Sequence, residues 1–175
     1  MRKLKLDELN RPTVEAYKSS ADKLPLTVVL DNIRSALNVG SVFRTCDGLA
    51  ISKLILVGIA ARPPHKEINK TAIGATKSVE WIYHETIETA LQELSLTHEI
   101  VGVEQTDDSV ALQEYKIPER PLALVFGHEI EGVSDAALPY LDTAIEVPQF
   151  GTKHSLNVGV CAGIVLWEIA KQYRY

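Results

Sequence analysis

Hydrophobic and polar positions along the chain follow two alternating patterns. Short β-branched and aliphatic runs, typical of buried strands, are separated by longer segments in which apolar residues recur at helical spacing. The predicted strands are "LTVVLD", "KLILVG", "VEWIYH", "EIVGVE", "PLALVFG" and "TAIEVP". The predicted helices cover residues 6–21, 39–50, 69–76, 86–96 and 134–141 and the apolar C-terminal segment. This alternation indicates an α/β fold with a mostly parallel sheet and helices on both faces.

The pattern also suggests how the chain is divided. Its 175 residues suit a single domain with a substantial core. We expect a helical arm over residues 1–24, in which Pro12 is tolerated only near a helix start or a kink. Residues 25–175 form the folded domain. In sheets of this class ligands bind beyond the carboxyl ends of the strands, so residues 31–40, 127–134 and 148–157 are the loops to search.

The first loop, "DNIRSALNVGSVFRT", combines polar groups with a glycine at a predicted helix start. Asn38 stands where an N-cap belongs, and Gly40 permits a close backbone approach or a positive φ. Arg44 falls in the second turn, so its guanidinium can reach the helix mouth and hold a phosphate or a carboxylate. A simple helix cap with a surface arginine is the alternative.

The second loop, "LVFGHEIEGVS", places two acids between two glycines at a strand end. Gly127 and Gly132 indicate a tight turn whose backbone amides can face a ligand, and Glu129 is the better functional candidate because it lies nearer the strand. The loop matches neither the phosphate-binding nor the dinucleotide-binding glycine motif. An ordinary solvated turn is the alternative.

The third loop, "VPQFGTKHSLNVGVCAGI", precedes the C-terminal helix. Pro148 ends a strand, Gly151 allows a turn, and we expect Ser155 to cap the helix. Asn157 then falls in the first helical turn, among free backbone amides. Capping alone explains Ser155 well and Asn157 poorly, because asparagine has modest helix propensity.

Composition narrows the class of protein. With 46% hydrophobic and 23% charged residues, the chain is typical of a soluble globular protein. The net charge of −5 disfavours a protein whose whole surface binds nucleic acid, but it does not exclude a local basic groove. Without an apolar run long enough for a membrane span or a signal peptide, we expect a cytoplasmic location. Cys46 and Cys161 lie in apolar patterns and are expected to be buried reduced thiols.

Taken together, the three loops resemble the three motifs of the SpoU (TrmH) family of RNA ribose 2′-O-methyltransferases, in the SPOUT superfamily. The matching segments are "NVGSVFRT", "LVFGHEIEGVS" and "VPQFGTKHSLNVGVCAGI", in the family's order and over about 130 residues. The resemblance implies a single SPOUT domain with a deep trefoil knot near its C-terminal end. It also implies that S-adenosylmethionine is the cofactor and that no metal is required.

The resemblance implies roles for particular residues. Gly127, Val147 and Leu156 match positions that hold the cofactor. The polar set around the methyl group and the target ribose is Asn38, Arg44, Glu129, Ser155 and Asn157. For Arg44 the roles of general base and of electrostatic stabiliser both stay open, although a guanidinium resists deprotonation.

The resemblance also implies partners. We expect a homodimer formed through the C-terminal helix, with RNA lying across both subunits, and we favour tRNA over ribosomal RNA for so small a protein. The alternatives are a ribosomal RNA 2′-O-methyltransferase and a catalytically silent module that binds RNA or cofactor. A nicotinamide-dependent oxidoreductase is disfavoured because the dinucleotide fingerprint is absent from the sequence.

Overall fold

The chain folds around one seven-stranded sheet. This computed structural model describes residues 1–175, apart from the side chain of Leu6. The strands are β1 (Leu24–Asp31), β2 (Ile51–Val57), β3 (Glu80–His84), β4 (Glu99–Val103), β5 (Val110–Ala111), β6 (Leu122–Phe126) and β7 (Thr143–Glu146). They lie in the order β3-β2-β1-β6-β4-β7-β5, and every pairing between them is parallel. The predicted parallel α/β sheet is therefore confirmed.

Helices cover both faces of this sheet, as predicted. The α-helices are α1 (Val14–Lys18), α2 (Ala36–Gly48), α3 (Lys66–Ala72), α4 (Ile87–Ser95) and α5 (Val158–Arg174), and short 3-10 helices span Leu6–Leu9, Ala75–Lys77 and Leu138–Tyr140. Two buried clusters flank the sheet. Phe43 of α2 and Leu166 of α5 share one cluster with Val28 of β1, whereas Leu91 of α4 shares the other with Val29. Successive β1 residues point to opposite faces, so both faces are buried.

The N-terminal arm differs from the continuous helix predicted over residues 6–21. A 3-10 helix and α1 are separated by Asn10, whose φ of 48° is left-handed, and by Pro12, which has no amide to donate. Thr13 then caps α1 by accepting a hydrogen bond from the Ala16 amide. The prediction of one continuous helix was wrong because the apolar spacing continues across a backbone that proline interrupts.

Smaller differences lie elsewhere in the chain. The helix predicted over residues 69–76 begins earlier, as α3, and ends in a 3-10 turn. The helix predicted over 134–141 is a run of turns with only three 3-10 residues. The two-residue strand β5 was missed because a strand of that length carries no periodicity. Within the described part of the chain, no helix combines the length and the apolar character required to cross a bilayer.

Helices α2 and α3 approach each other closely at Gly40. A Cβ at this position would overlap the Thr71 hydroxyl and would lie 2.5 Å from the backbone oxygen of Ile68. Of the two roles that the sequence left open for the glycine of the first motif, the structure therefore shows the close backbone approach and not the positive φ.

Candidate functional site

A cavity of about 490 Å³ opens at the carboxyl edge of the sheet. Its wall is built by the segments that follow β4, β6 and β7 and by the start of α5. Five of the eight predicted site residues line it: Gly127, Glu129, Val147, Ser155 and Leu156. Because parallel strands end at one edge, segments distant in the sequence converge here, as expected for this class of sheet.

The segment after β6 forms a tight hairpin in the cavity wall. His128 and Gly132 exchange two backbone hydrogen bonds of 2.9 Å, and Gly132 has a φ of 74°. A Cβ on Gly127 would overlap the backbone of Gly132 and Val133, so only glycine fits at the base of the hairpin. The tight turn inferred from the two glycines is thereby confirmed.

Two carboxylates that are not among the predicted site residues fix this hairpin. Asp31, fully buried at the end of β1, accepts a 2.9 Å hydrogen bond from the Ser134 amide. Glu104, directly after β4, accepts one of 2.9 Å from the Val133 amide. Both acids stand immediately at the carboxyl end of an apolar strand, and that position was the signal that could have identified them.

Glu129 joins the hairpin to the first turn of α2. Its carboxylate accepts hydrogen bonds from the amides of Arg34 (3.1 Å) and Ser35 (3.0 Å) and from the side-chain amide of Asn38 (3.1 Å). Partial burial tends to raise the pKa of Glu129. The hydrogen bonds that the carboxylate accepts, led by that from the Ser35 amide, outweigh burial, so the net pKa is lowered. An ionised carboxylate at a helix N-terminus also complements the helix dipole.

The lowered pKa of Glu129 predicts a pH-dependent contribution to stability. A carboxyl whose folded pKa lies below its unfolded value, about 4.3, stabilises fully above that value and loses its effect as pH falls through the folded pKa. Glu129→Gln should therefore have a lower free energy of unfolding than the wild type at pH 7. Denaturant unfolding at several pH values should show this difference shrinking below about pH 4. A difference that is constant with pH would contradict this assignment.

Asn38 and Asn157 extend the connection to the third loop. The Asn157 side-chain amide donates to the Asn38 carbonyl oxygen at 3.1 Å, while Asn38 donates onward to Glu129. The Asn157 oxygen accepts from the amides of Gly159 (3.0 Å) and Val160 (3.3 Å). The three motif segments are thus tied by one chain of hydrogen bonds.

Both predicted helix caps were assigned to the wrong residue. Ser35, not Asn38, caps α2, since its hydroxyl accepts from the Asn38 amide at 3.3 Å. Asn157, not Ser155, caps α5, which begins at Val158. Ser155 lies before the helix, exposed at the cavity rim. The unexplained asparagine of the third motif is therefore both a helix cap and a link to α2.

Arg44 is not brought into the cavity of its own chain. It is exposed on α2 and lines a separate cleft with residues of α2 and α3. Of the eight predicted residues, five line the cavity, Asn38 and Asn157 adjoin it through hydrogen bonds, and Arg44 alone lies on another surface.

The two cysteines are free thiols, as expected. Cys46 is fully buried, and burial raises its pKa. Cys161 is only half-buried, because it lines the cavity. Burial, with the negative charge of Glu104, raises the pKa of Cys161 to about 11.

Similarity to known proteins agrees with this arrangement. The model of the SpoU rRNA Methylase family matches residues 25–167. A tRNA (guanosine(18)-2'-O)-methyltransferase from Aquifex aeolicus is 32% identical over 152 residues, which cover 84% of this chain and 69% of the relative. A 23S rRNA (guanosine-2'-O-)-methyltransferase from Haemophilus influenzae is 30% identical over 165 residues, covering 94% of this chain and 67% of the relative.

Solved structures share the fold. The TrmH/SpoU tRNA modifying enzyme of A. aeolicus aligns with a TM-score of 0.78 at 28% identity, covering 91% of this chain and 79% of that one. The SpoU methyltransferase AviRb of Streptomyces viridochromogenes, solved in complex with AdoMet, aligns with a TM-score of 0.79 at 23% identity. This chain spans 63% of the AviRb chain. The resemblance inferred from three motifs is confirmed: the chain belongs to the SpoU rRNA methylase family.

Proposed function

We propose that the protein transfers a methyl group from S-adenosylmethionine to a ribose 2′-hydroxyl of RNA. The observation that carries this proposal is the convergence of the three family motifs at one cavity, through the hydrogen bonds that Asn157 donates to Asn38 and that Asn38 donates to Glu129. Relatives named as tRNA and 23S rRNA guanosine 2′-O-methyltransferases support the reaction class.

The cavity fits a cofactor of this kind. Its volume of about 490 Å³ is that of a small-molecule site. Gly127, Val147 and Leu156 supply backbone and apolar contacts for the cofactor. The wall also carries five carboxylates, from Glu104, Glu129, Glu131, Asp135 and Glu146. Acidic groups favour a cationic sulfonium and repel phosphate, so the cavity suits the methyl donor better than the RNA backbone.

The site residues have separate roles in methyl transfer. When bound, S-adenosylmethionine supplies a methyl group activated by its sulfonium, so alignment of the ribose hydroxyl is the main requirement. Glu129 holds Asn38 in place, and Ser155 and Asn157 fix the ribose hydroxyls or order the third loop. Arg44 stabilises the negative charge that develops on the ribose oxygen, or grips the adjacent phosphate, since an arginine guanidinium stays protonated in proteins.

Two subunits complete each site in this proposal. Arg44 lies outside the cavity of its own chain, so a second copy must supply it. Helix α5 has an apolar face on which Val160, Ile164 and Trp167 are 56%, 41% and 53% exposed. Their spacing places them on one side of the helix, suited to burial in a homodimer. RNA then lies across both subunits, with tRNA favoured over ribosomal RNA. The trefoil knot, the cytoplasmic location and independence from metals stay predictions.

The decisive experiment incubates the protein with labelled S-adenosylmethionine and total RNA, followed by nucleoside mass spectrometry. A 2′-O-methylated nucleoside is the expected product, and the sequence of the labelled fragment distinguishes tRNA from ribosomal RNA. Excess chelator should leave the yield unchanged. Cofactor or RNA binding without any methylated product would favour the catalytically silent module.

Alkylation of Cys161 provides a test of cofactor binding that does not need activity. Because its pKa is raised to about 11, iodoacetamide should modify this thiol slowly at pH 7.5 and faster as the pH rises. S-adenosylmethionine should slow the modification further, since Cys161 lines the cavity. Intact-mass measurements on the wild type and on Cys161→Ala would follow the reaction. Equal rates with and without cofactor would place the cofactor elsewhere.

A further inference from the structure

A second concave site lies between α2 and α3, outside the acidic cavity. This cleft, of about 460 Å³, is lined by Arg44 and Lys70 and by three hydroxyl residues, Ser41, Thr45 and Thr71. Lys70 is exposed and lies on α3, and the close α2–α3 packing at Gly40 brings the two basic side chains into one cleft. Nothing in the methyl-transfer chemistry above uses Lys70.

The hydroxyl groups of this cleft already donate hydrogen bonds to backbone oxygens of α2. Ser41 donates to the Leu37 oxygen at 2.9 Å, Thr45 to the Ser41 oxygen at 3.1 Å, and Thr71 to the Leu37 oxygen at 3.0 Å. Each hydroxyl oxygen is left as an acceptor, while Arg44 and Lys70 supply the N–H donors. A ligand that satisfies the N–H donors and the acceptor oxygens together carries an anionic group beside a hydroxyl donor. A ribose–phosphate unit has that combination.

Charge along the chain also favours RNA on this face. Residues 32–78 contain seven Lys and Arg and two Asp and Glu, in a protein whose net charge is −5. The cavity wall, in contrast, carries five carboxylates. The phosphate backbone of RNA is therefore favoured at the cleft in which Arg44 and Lys70 lie together, over the acidic cavity.

We propose that the α2–α3 cleft binds a ribose–phosphate unit of the RNA substrate, with Lys70 contacting the phosphate beside Arg44. This inference rests on the proposed function, because the cleft is assigned as a binding site for the RNA strand that the enzyme methylates. Lys70 positions the RNA and takes no part in methyl transfer.

The test compares Lys70→Ala with Lys116→Ala, an exposed lysine outside the cleft. Affinity for the RNA that the wild type methylates is measured at several salt concentrations. Lys70→Ala should bind it about five- to tenfold more weakly at 0.1 M salt, and the negative slope of log affinity against log salt should become shallower by about 0.7–0.9, the value of one phosphate contact. KM for RNA should rise while KM for S-adenosylmethionine stays constant. Lys70→Arg should restore binding.

The inference would be overturned if Lys70→Ala and Lys116→Ala shared one affinity and one salt slope while the wild type still methylated RNA; the proposed function would then stand. A wild type that methylates no RNA would remove both. Competition by inorganic phosphate separates a further possibility. If submillimolar phosphate bound the wild type but not Lys70→Ala, and yet failed to displace the RNA from the wild type, the cleft would be a free-phosphate site and the inference would be wrong.

Discussion

Arg44→Ala is expected to lower kcat for methyl transfer by about 10²–10³-fold, the usual loss when one donor to a developing oxyanion is removed. The affinity for S-adenosylmethionine should stay at its wild-type level, because the proposed cofactor contacts come from Gly127, Val147 and Leu156, whereas Arg44 is assigned to the ribose oxygen or the adjacent phosphate. Single-turnover kinetics and calorimetric cofactor binding measure the two effects separately. Equal loss of both would contradict the assigned role.

A mixing experiment tests whether Arg44 acts across the dimer. Arg44→Ala subunits keep an intact cavity, and Leu156→Asp subunits, altered in the cavity wall, keep Arg44. If Arg44 serves the partner, a heterodimer of the two inactive variants has one complete site and regains activity. An arginine that acts within its own chain would leave the mixture inactive.

Arg44→Lys, which keeps the charge but not the planar fork, should recover only part of the rate.

Gly127→Ala is expected to abolish cofactor binding and to lower the free energy of unfolding by about 3 kcal/mol, at the upper end of overpacking effects. The new Cβ would overlap the backbone of Gly132 and Val133, and backbone cannot rotate away as a flexible side chain can. The hairpin must open, which displaces Glu129 from its partners on α2. Denaturant unfolding and cofactor titration would record the two losses.

Gly151→Ala is the matched control. Gly151 lies in the third loop, and among the atoms that the structure describes a Cβ there would meet none within 4 Å. This variant should keep wild-type stability, within about 0.5 kcal/mol, and bind cofactor. If Gly127→Ala behaved in the same way, the glycine would have no special role in the hairpin.

The sheet could be predicted from the sequence because each long strand has a recognisable apolar pattern within its own short segment. Runs such as "LTVVLD" and "PLALVFG" are buried on both faces and are therefore mostly apolar, with Thr27 and Asp31 as buried polar exceptions. The location of the site followed from the rule that parallel strands end at one edge. The strand order and the small strand β5 depend on contacts between distant segments, which single-residue patterns do not encode.

Details of the site escaped prediction for a related reason. Ser155 and Asn157 are both good N-caps by composition, and the choice between them is decided by the hydrogen bond from Asn157 to Asn38. The contribution of Asp31 is visible only once the Ser134 amide lies next to it. Arg44 was placed with the other motif residues, yet a helix surface directs it to a different cleft.

The long reach of these hydrogen bonds has a consequence for folding. Asn38 is 91 residues from Glu129 and 119 residues from Asn157. Closing loops of this length costs conformational entropy, which slows the contacts that close them. Native contacts between such segments are therefore expected to form late. Strand β1 and helix α2 can assemble early with β2, but the mouth of the cavity is completed only when the first turn of α5 docks. The pairing of β1 with β6, which places Leu26 opposite Leu122, spans a similar length of chain. The centre of the sheet and the cavity mouth are therefore expected to be completed together, late in refolding.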